Sequence, residues 1–301
     1  MKPLRLALLL STLLTAVHTD TSVFQARAAA WKTCIRNLTG FRPTRSTHVA
    51  LCVVPNPSQA YPSFAHVHVY KNAGTALNNL VVAACKARQG SFRMLRNQLI
   101  VERALRSHPN LLLFSAQRNP IDRFFSVVAE AARRGTFILS VLAQAERLKD
   151  PKATLDWTLR TQTRQQLVER EVHFSEQFEF LIRVGSTAAP LRPWPIHYMI
   201  DMRHPDEIKA IWTLLMAGRA HPFPDLHGRH HQDEEYEQCL DKTHVECQHV
   251  TDRTRQIVQW LVMETHDSTA AMNTTILDKW YPEDAACYAA AEQAAAAARV
   301  S

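Results

Sequence analysis

The fold is decided by residues 64–85, FAHVHVYKNAGTALNNLVVAAC. Residues 64–70 alternate in polarity and are rich in β-forming side chains, which predicts a strand. Residues 71–75 have turn composition, and residues 76–85 have the apolar pattern of a helix. A strand that passes through a short turn into a helix is one βα unit.

A second unit of the same kind follows at residues 110–126, NLLLFSAQRNPIDRFFS. Its apolar run at 110–115 has the length of a buried strand, and a helix is predicted over 121–134. Residues 196–200 and 204–215 predict a further strand and an amphipathic helix. Because strands and helices alternate, we predict an α/β fold with a mostly parallel sheet flanked by helices.

Composition excludes several classes of protein. The chain has 301 residues, of which 46% are hydrophobic and 21% charged, so it is globular and long enough for a large core. Only 7 glycines exclude a collagen-like repeat. A net charge of +7, with 15 histidines besides, favours an anionic partner without choosing among nucleic acid, lipid, acidic glycan and small phosphate compounds.

The N-terminus resembles a secretory signal. Lys2 and Arg5 precede an apolar run at residues 6–17. As a helix that run would span roughly 18 Å, less than the ~30 Å of a bilayer core, which favours a cleaved signal. A short signal-anchor and a buried N-terminal helix are the alternatives. The predicted organisation is a signal peptide or short signal-anchor (1–20), a stem (21–60), one domain (61–288) and an Ala-rich tail (289–301).

Secretion would place the chain in an oxidising compartment. The 6 cysteines are an even number, compatible with disulfides, but six cysteines allow fifteen pairings. Cys239 and Cys247 are the best local pair, and buried free thiols are at least as good an expectation for the others. Asn37 and Asn273 begin glycosylation sequons.

The two predicted turns carry anion-binding chemistry. Lys71 offers a compact charge, Gly74 a close approach of the backbone and Thr75 a hydroxyl, all at a helix N-terminus that attracts phosphate. Arg118 would stand at the carboxyl end of a strand, where open α/β sheets bind ligands, and Arg123 would follow on the helix. The structural alternatives are an ordinary turn at the first position and a helix cap with a solvated arginine at the second.

Taken together, the two turns resemble the donor site of one enzyme family. Residues 70–77, YKNAGTAL, resemble the P-K-x-G-G-T-S-L loop that holds the 5′-phosphosulfate in sulfotransferases. Residues 118–126, RNPIDRFFS, resemble the R-D-P-x-x-R-x-x-S segment that binds the 3′-phosphate. Residues 172–177 and 280–284 are similar to two further family segments. The chain thus resembles a Golgi-type carbohydrate sulfotransferase over about residues 64–288.

That resemblance implies a P-loop NTPase-like sulfotransferase fold and transfer of a sulfuryl group from 3′-phosphoadenylyl sulfate (PAPS) to a glycan hydroxyl. It implies a glycan or glycoconjugate acceptor, no metal and no nucleic acid. The location would be the Golgi lumen or membrane, as a single-pass type II protein if the N-terminal segment stays. Lys71 and His173 would be catalytic, His173 as the base, with His68 the next candidate. The implied cofactor-binding residues are Lys71, Asn72, Ala73, Gly74, Thr75, Ala76, Arg118, Arg123 and Ser126.

The chain also departs from the family pattern. Tyr70 replaces a proline, Ala73 a glycine, Ala76 a serine and Asn119 an aspartate, while Val128 stands where an aromatic residue is common. The departures at Ala73, Ala76 and Asn119 motivate a second hypothesis, a non-catalytic secreted binding protein on a degenerate sulfotransferase scaffold. A nucleotide kinase is a third, although the Walker A order of glycines and lysine is absent. The histidines and cysteines of residues 227–249 are zinc-ligand types without a zinc spacing; an acceptor-facing basic loop or an ordinary solvated loop are the other interpretations.

Overall fold

The structure, a computed structural model, describes residues 21–38, 48–58, 62–70, 72, 74–133, 151–169, 172–183, 192–217, 219–224 and 269–300. The strands are β1 (His48–Val53), β2 (Phe64–His68), β3 (Ser91–Leu95), β4 (Leu112–Gln117) and β5 (Tyr198–Asp201). The helices are α1 (21–37), α2 (Gly74–Ala87), α3 (Gln98–Ser107), α4 (Pro120–Arg133), α5 (Pro151–Thr161), α6 (Arg164–Val168), α7 (Gln177–Phe180), α8 (Pro205–Leu215), α9 (Ala270–Thr275) and α10 (Pro282–Val300). Val172–Phe174 form a 3₁₀ turn and Ile276–Trp280 a π-helical turn.

The five strands form one mixed sheet in the order β3-β1-β2-β4-β5. β4 runs parallel to both β2 and β5, whereas β1 is antiparallel to β2 and β3. The α/β class with flanking helices is confirmed. The prediction of a mostly parallel sheet is corrected, because two of these four strand pairs are antiparallel. The short connection 54–63 between β1 and β2 has no room for the helical crossover that a parallel pair needs.

The chain divides into two compact units. The first comprises Met1–Arg118, Gln177–Leu226 and Ala286–Ser301 and contains the whole sheet. The second comprises Asn119–Glu176 and His227–Ala285. Residues 61–288, predicted as one domain, are therefore shared between the two units.

The core of the first unit extends into segments predicted to lie outside the domain. Phe24 of α1, Ala50 of β1 and Ala295 of α10 are buried in the same cluster as Phe64 and Phe114 of the sheet. The stem expected at 21–60 and the tail expected at 289–301 thus contribute core side chains. An alanine-rich helix can do so because small side chains spaced four apart leave a smooth face for packing.

Two disulfides stabilise this unit. Cys34 is bonded to Cys287, 253 residues away in the sequence, and Cys52 to Cys85, 33 residues away. The expectation of buried free thiols is therefore wrong for all four. Gly90 makes room for the second bond, because a β-carbon there would lie 2.5 Å from the Cys52 sulfur. Cys239 and Cys247 lie outside the described residues.

The second unit has an aromatic core. Phe124 of α4 packs edge-to-face against Trp280 and close to Phe174 and Tyr281, with ring centroids 5.6 to 6.3 Å apart. Such geometry adds to the free energy gained from burying the rings. Two of the segments with family resemblance, around Phe174 and Trp280, thereby meet helix α4.

The N-terminal segment 1–20 lies outside the described residues. Within the described residues, no helix has both the length and the apolar character to cross a bilayer. Asn37 is exposed at the end of α1, whereas Asn273 is half-buried within α9.

Candidate functional site

The two predicted turns come to the same edge of the sheet. β2 and β4 are parallel neighbours, with Phe64 opposite Leu112 and His66 opposite Phe114. Since parallel strands end at a common edge, the turn after β2 and the turn after β4 are adjacent. Both turns, as far as Arg118, belong to the first unit.

A side-chain clamp connects these turns. The amide nitrogen of Asn72 donates to the Ala116 carbonyl at 2.9 Å and to Gln177 Oε1 at 2.5 Å. The same Gln177 oxygen accepts the Arg118 N–H at 3.0 Å, and Gln177 Nε2 donates to the Arg118 carbonyl at 2.9 Å. Asn72 and Gln177 are both 1% exposed, so these bonds are shielded from water. The clamp fixes the backbone of Arg118 relative to the first turn.

Gln177 is a site residue that the sequence reasoning missed. It appeared as the last residue of a segment with family resemblance, but no role was assigned to it. The available signal was a polar residue ending that segment, which does not show what the side chain reaches. Pairing it with Asn72, 105 residues away, requires the tertiary structure.

Helix α2 begins at the first turn. Gly74, Thr75 and Ala76 form its first residues, with Thr75 exposed and no acidic residue among them. Backbone N–H groups at a helix start carry a partial positive charge that attracts anions. Lys71 and Ala73, also predicted here, lie outside the described residues.

Gly74 is required for packing. A β-carbon at this position would lie 2.3 Å from His68 Nε2, 2.4 Å from Cε1 and 2.5 Å from Cδ2. Nearly equal distances to three ring atoms mean that the β-carbon would fall on the face of the imidazole. The His68 ring therefore lies against the first turn of α2, and no larger residue fits at Gly74.

Two histidines of β2 share the side chain of Asn78 on helix α2. His66 Nδ1 lies 2.8 Å from Asn78 Oδ1, and Asn78 Nδ2 lies 3.0 Å from His68 Nδ1. His66 is 1% exposed, and burial lowers its pKa to about 4 despite the bond to Asn78. His66 is therefore neutral at physiological pH. Together the three side chains form a hydrogen-bonded chain that ends at the His68 ring.

The residues predicted to bind phosphate after β4 differ in their exposure. Arg118 and Ser126 are half-buried, and the Asn119 side chain accepts the Ile121 N–H at 2.9 Å, which caps α4. Arg123, by contrast, has no exposed surface. Its guanidinium donates to the His173 carbonyl at 3.0 Å and lies 5.5 Å from the centre of the Tyr281 ring.

Arg123 belongs to a buried charge cluster of the second unit. Its Nη1 lies 4.0 Å from a carboxylate oxygen of Asp284, and both side chains are fully buried. Glu176 accepts the Asp284 N–H at 2.9 Å and pairs with Arg164. Burial, with the nearby Asp284 carboxylate, raises the pKa of Glu176 to about 10. The predicted catalytic base His173 is 5% exposed in this unit.

One group in the described part of the chain has metal-ligand types close together, namely Asp201, His204 and Glu292. Its carboxylates already hold cations: Arg203 bonds Asp201 at 3.0 Å and Glu292 at 2.7 Å. Although burial acts to raise it, hydrogen bonds from Arg203, Tyr288 and Gln117 lower the pKa of Asp201 to about 2. Arginine thus supplies the positive charge that a metal would bring. The histidines of residues 227–249 lie outside the described residues.

Comparison of the chain with protein-family models, with curated proteins and with solved structures finds no match in any of the three.

Proposed function

We propose that the chain is a PAPS-dependent sulfotransferase that transfers a sulfuryl group to a glycan hydroxyl in the Golgi lumen. The donor nucleotide would bind at the edge of the sheet where β2 and β4 end. Lys71, Asn72, Gly74, Thr75 and Arg118 are its proposed contacts in the first unit. The proposed contacts further along the chain, Ser126 and the base His173, belong to the second unit and stay predictions.

The clamp between the two turns is the observation that carries this proposal. A nucleotide with phosphates at both its 5′ and 3′ positions needs two anion sites at a fixed separation. Asn72 and Gln177 hold the backbone of Arg118 to the turn that leads into α2. Sequence resemblance assigns one phosphate to each of these turns, and the clamp makes their geometry rigid.

Two further features support the proposal. The two disulfides suit an oxidising lumen, where such bonds persist. Asn119, which departs from the family aspartate, still caps α4 through its side-chain oxygen. The helix cap is therefore kept despite this departure from the family pattern.

In the proposed reaction the acceptor oxygen attacks sulfur, and a new S–O bond forms as the bond to the bridging oxygen breaks. Adenosine 3′,5′-bisphosphate leaves with the electron pair, and the hydroxyl proton passes to a base. Negative charge grows on the bridging oxygen, so Lys71 and the first amides of α2 would stabilise it. Arg118 would hold the 3′-phosphate away from the reacting bond.

Retention on immobilised adenosine 3′,5′-bisphosphate tests the site. We expect the wild type to be retained, and Lys71→Ala and Arg118→Ala to be lost. Lys86→Ala and Arg106→Ala are matched controls, because both side chains are exposed on other parts of the first unit. Equal retention of all four variants would remove the assignment.

A non-catalytic binding protein is the second candidate. It is favoured by Ala76, which lacks the family hydroxyl, and by Arg123, which is enclosed by protein. Transfer of labelled sulfate from PAPS to a panel of glycans separates the two functions. Nucleotide binding without transfer to any acceptor would favour the binding protein.

A further inference from the structure

We propose that His68 is a hydrogen-bond donor to the 5′-phosphate end of the bound nucleotide, with its tautomer set by Asn78 and His66. This inference rests on the proposed function and adds a ligand contact that the sequence resemblance does not assign. It also replaces the alternative in which His68 is the proton acceptor of the reaction.

His68 lies against the first turn of helix α2. Its ring lies on Gly74, with Nε2 only 2.3 Å from the place that a β-carbon would take. An imidazole so close to the first turn of α2 stands beside the amides proposed to bind the phosphosulfate. A group bound by those amides would be within reach of His68 Nε2.

His66, the buried member of the three hydrogen-bonded side chains, decides which nitrogen of His68 carries the proton. His66 Nε2 is buried without a hydrogen-bond partner in the described part of the structure. A proton on that nitrogen would leave a buried N–H unpaired, which is rarer in proteins than an unpaired acceptor. His66 therefore carries its proton on Nδ1 and donates it to Asn78 Oδ1.

The tautomer of His66 fixes the orientation of the Asn78 amide, which in turn fixes the tautomer of His68. With its oxygen bonded to His66, Asn78 presents its NH₂ group to His68 Nδ1 at 3.0 Å. His68 Nδ1 must then be the acceptor, so in the neutral ring the proton lies on Nε2. A ring in this state donates from Nε2 and cannot take a proton there. Asn78 and His66 are accordingly positioning residues.

Nitrogen chemical shifts of the histidines test the tautomer in the full-length protein without ligand. In two-bond ¹H–¹⁵N spectra at pH 8, we expect His68 to show a bare Nδ1 and a protonated Nε2. The signal is assigned by its loss in His68→Gln. The opposite pattern would overturn the inference, whatever the protein binds.

Titration with adenosine 3′,5′-bisphosphate tests the contact. We expect the Nε2–H signal to move on binding, and His68→Ala to weaken affinity by about tenfold or more. His68→Gln, which keeps an N–H donor, should recover most of that loss, and the distant His108→Ala should have no effect. If Lys71→Ala abolishes binding while His68→Ala binds normally, the donor role is wrong and the proposed function stands. If the wild type does not bind the nucleotide, the proposed function fails.

Discussion

The two strand-to-helix turns look alike in sequence and differ in the capping and acidic groups that lie at the start of the following helix. Helix α4 is capped by Asn119 and carries Asp122 in its first turn. Helix α2 follows Ala73, which has no side-chain acceptor, and has no acid in its first turn. The start of α4 thus has a capping oxygen and an acidic residue of its own, whereas Ala73 and the first turn of α2 supply neither.

The side chains packed near the two turns also differ, because those near α2 form a polar hydrogen-bonded chain and those near α4 include buried charges. His66, Asn78 and His68 form a hydrogen-bonded chain behind the start of α2, and His66 in it is neutral. Around α4 the second unit buries charges, with Arg123 beside Asp284. A buried charge has to keep its partner, and a neutral dipole is available to a ligand at lower cost. This difference agrees with the proposal that the ligand binds at the start of α2.

The largest expected effect is on Arg123. Replacing it by Met removes the buried cation that lies 4.0 Å from the Asp284 carboxylate, which should lower the free energy of unfolding by about 3–5 kcal/mol. Urea denaturation measures this, with the exposed Arg106→Ala as control. A variant that stays as stable as the wild type but loses nucleotide retention would instead place Arg123 in the nucleotide site.

The second largest effect is expected from a carboxylate added at the start of α2. Ala73→Asp supplies a cap and a negative charge there, so nucleotide affinity should fall by at least about tenfold while the protein gains about 1 kcal/mol of stability. Calorimetric titration and thermal unfolding measure the two effects. Asn119→Asp is the matched control, because it adds the same charge at the start of α4. Equal losses from both variants would break the comparison.

The stabilities of the two units should change with pH in opposite directions. The pKa of His66 lies near 4 in the folded protein against 6.5 ordinarily, so its contribution to stability is lost as pH falls below 6.5. The pKa of Glu176 rises from 4.5 to about 10, so its contribution is lost as pH rises through that interval. Each slope is at most about 1.4 kcal/mol per pH unit.

Amide hydrogen exchange, corrected for intrinsic rates, resolves the units. Protection in α2 should fall at pH 5, and protection in α4 should fall at pH 9. Glu176→Gln should flatten the alkaline loss in α4 and leave α2 unchanged. Loss of protection in both helices at the same end of the pH range would contradict these assignments.

The smallest effect is expected from the cap of α4. Asn119→Ala removes the acceptor for the Ile121 N–H and should cost about 1 kcal/mol of stability. Nucleotide affinity should stay within about twofold of the wild type. A large loss of affinity would mean that Asn119 itself contacts the ligand.

Local pattern was sufficient for the βα units and insufficient for β3. Every residue of β3 except Leu95 is exposed, so this edge strand has no alternation of buried and exposed side chains to detect. Segment 21–37 carries the apolar pattern of a helix with one buried face, at Phe24, Trp31 and Ile35, so the prediction of a stem over 21–60 missed a signal that the sequence contains. The disulfides joined cysteines too distant in sequence to be paired by spacing.

Sequence by itself determined the α/β class and the two βα units, because propensity and turn chemistry act between near neighbours. Tertiary structure decided that Asn72 and Gln177 join the turns, that Arg123 is buried, and that His68 lies on Gly74. Each of these depends on residues distant in the chain that meet only when the sheet and its helices pack. Burial then decides whether a polar side chain is available to a ligand or required by the fold.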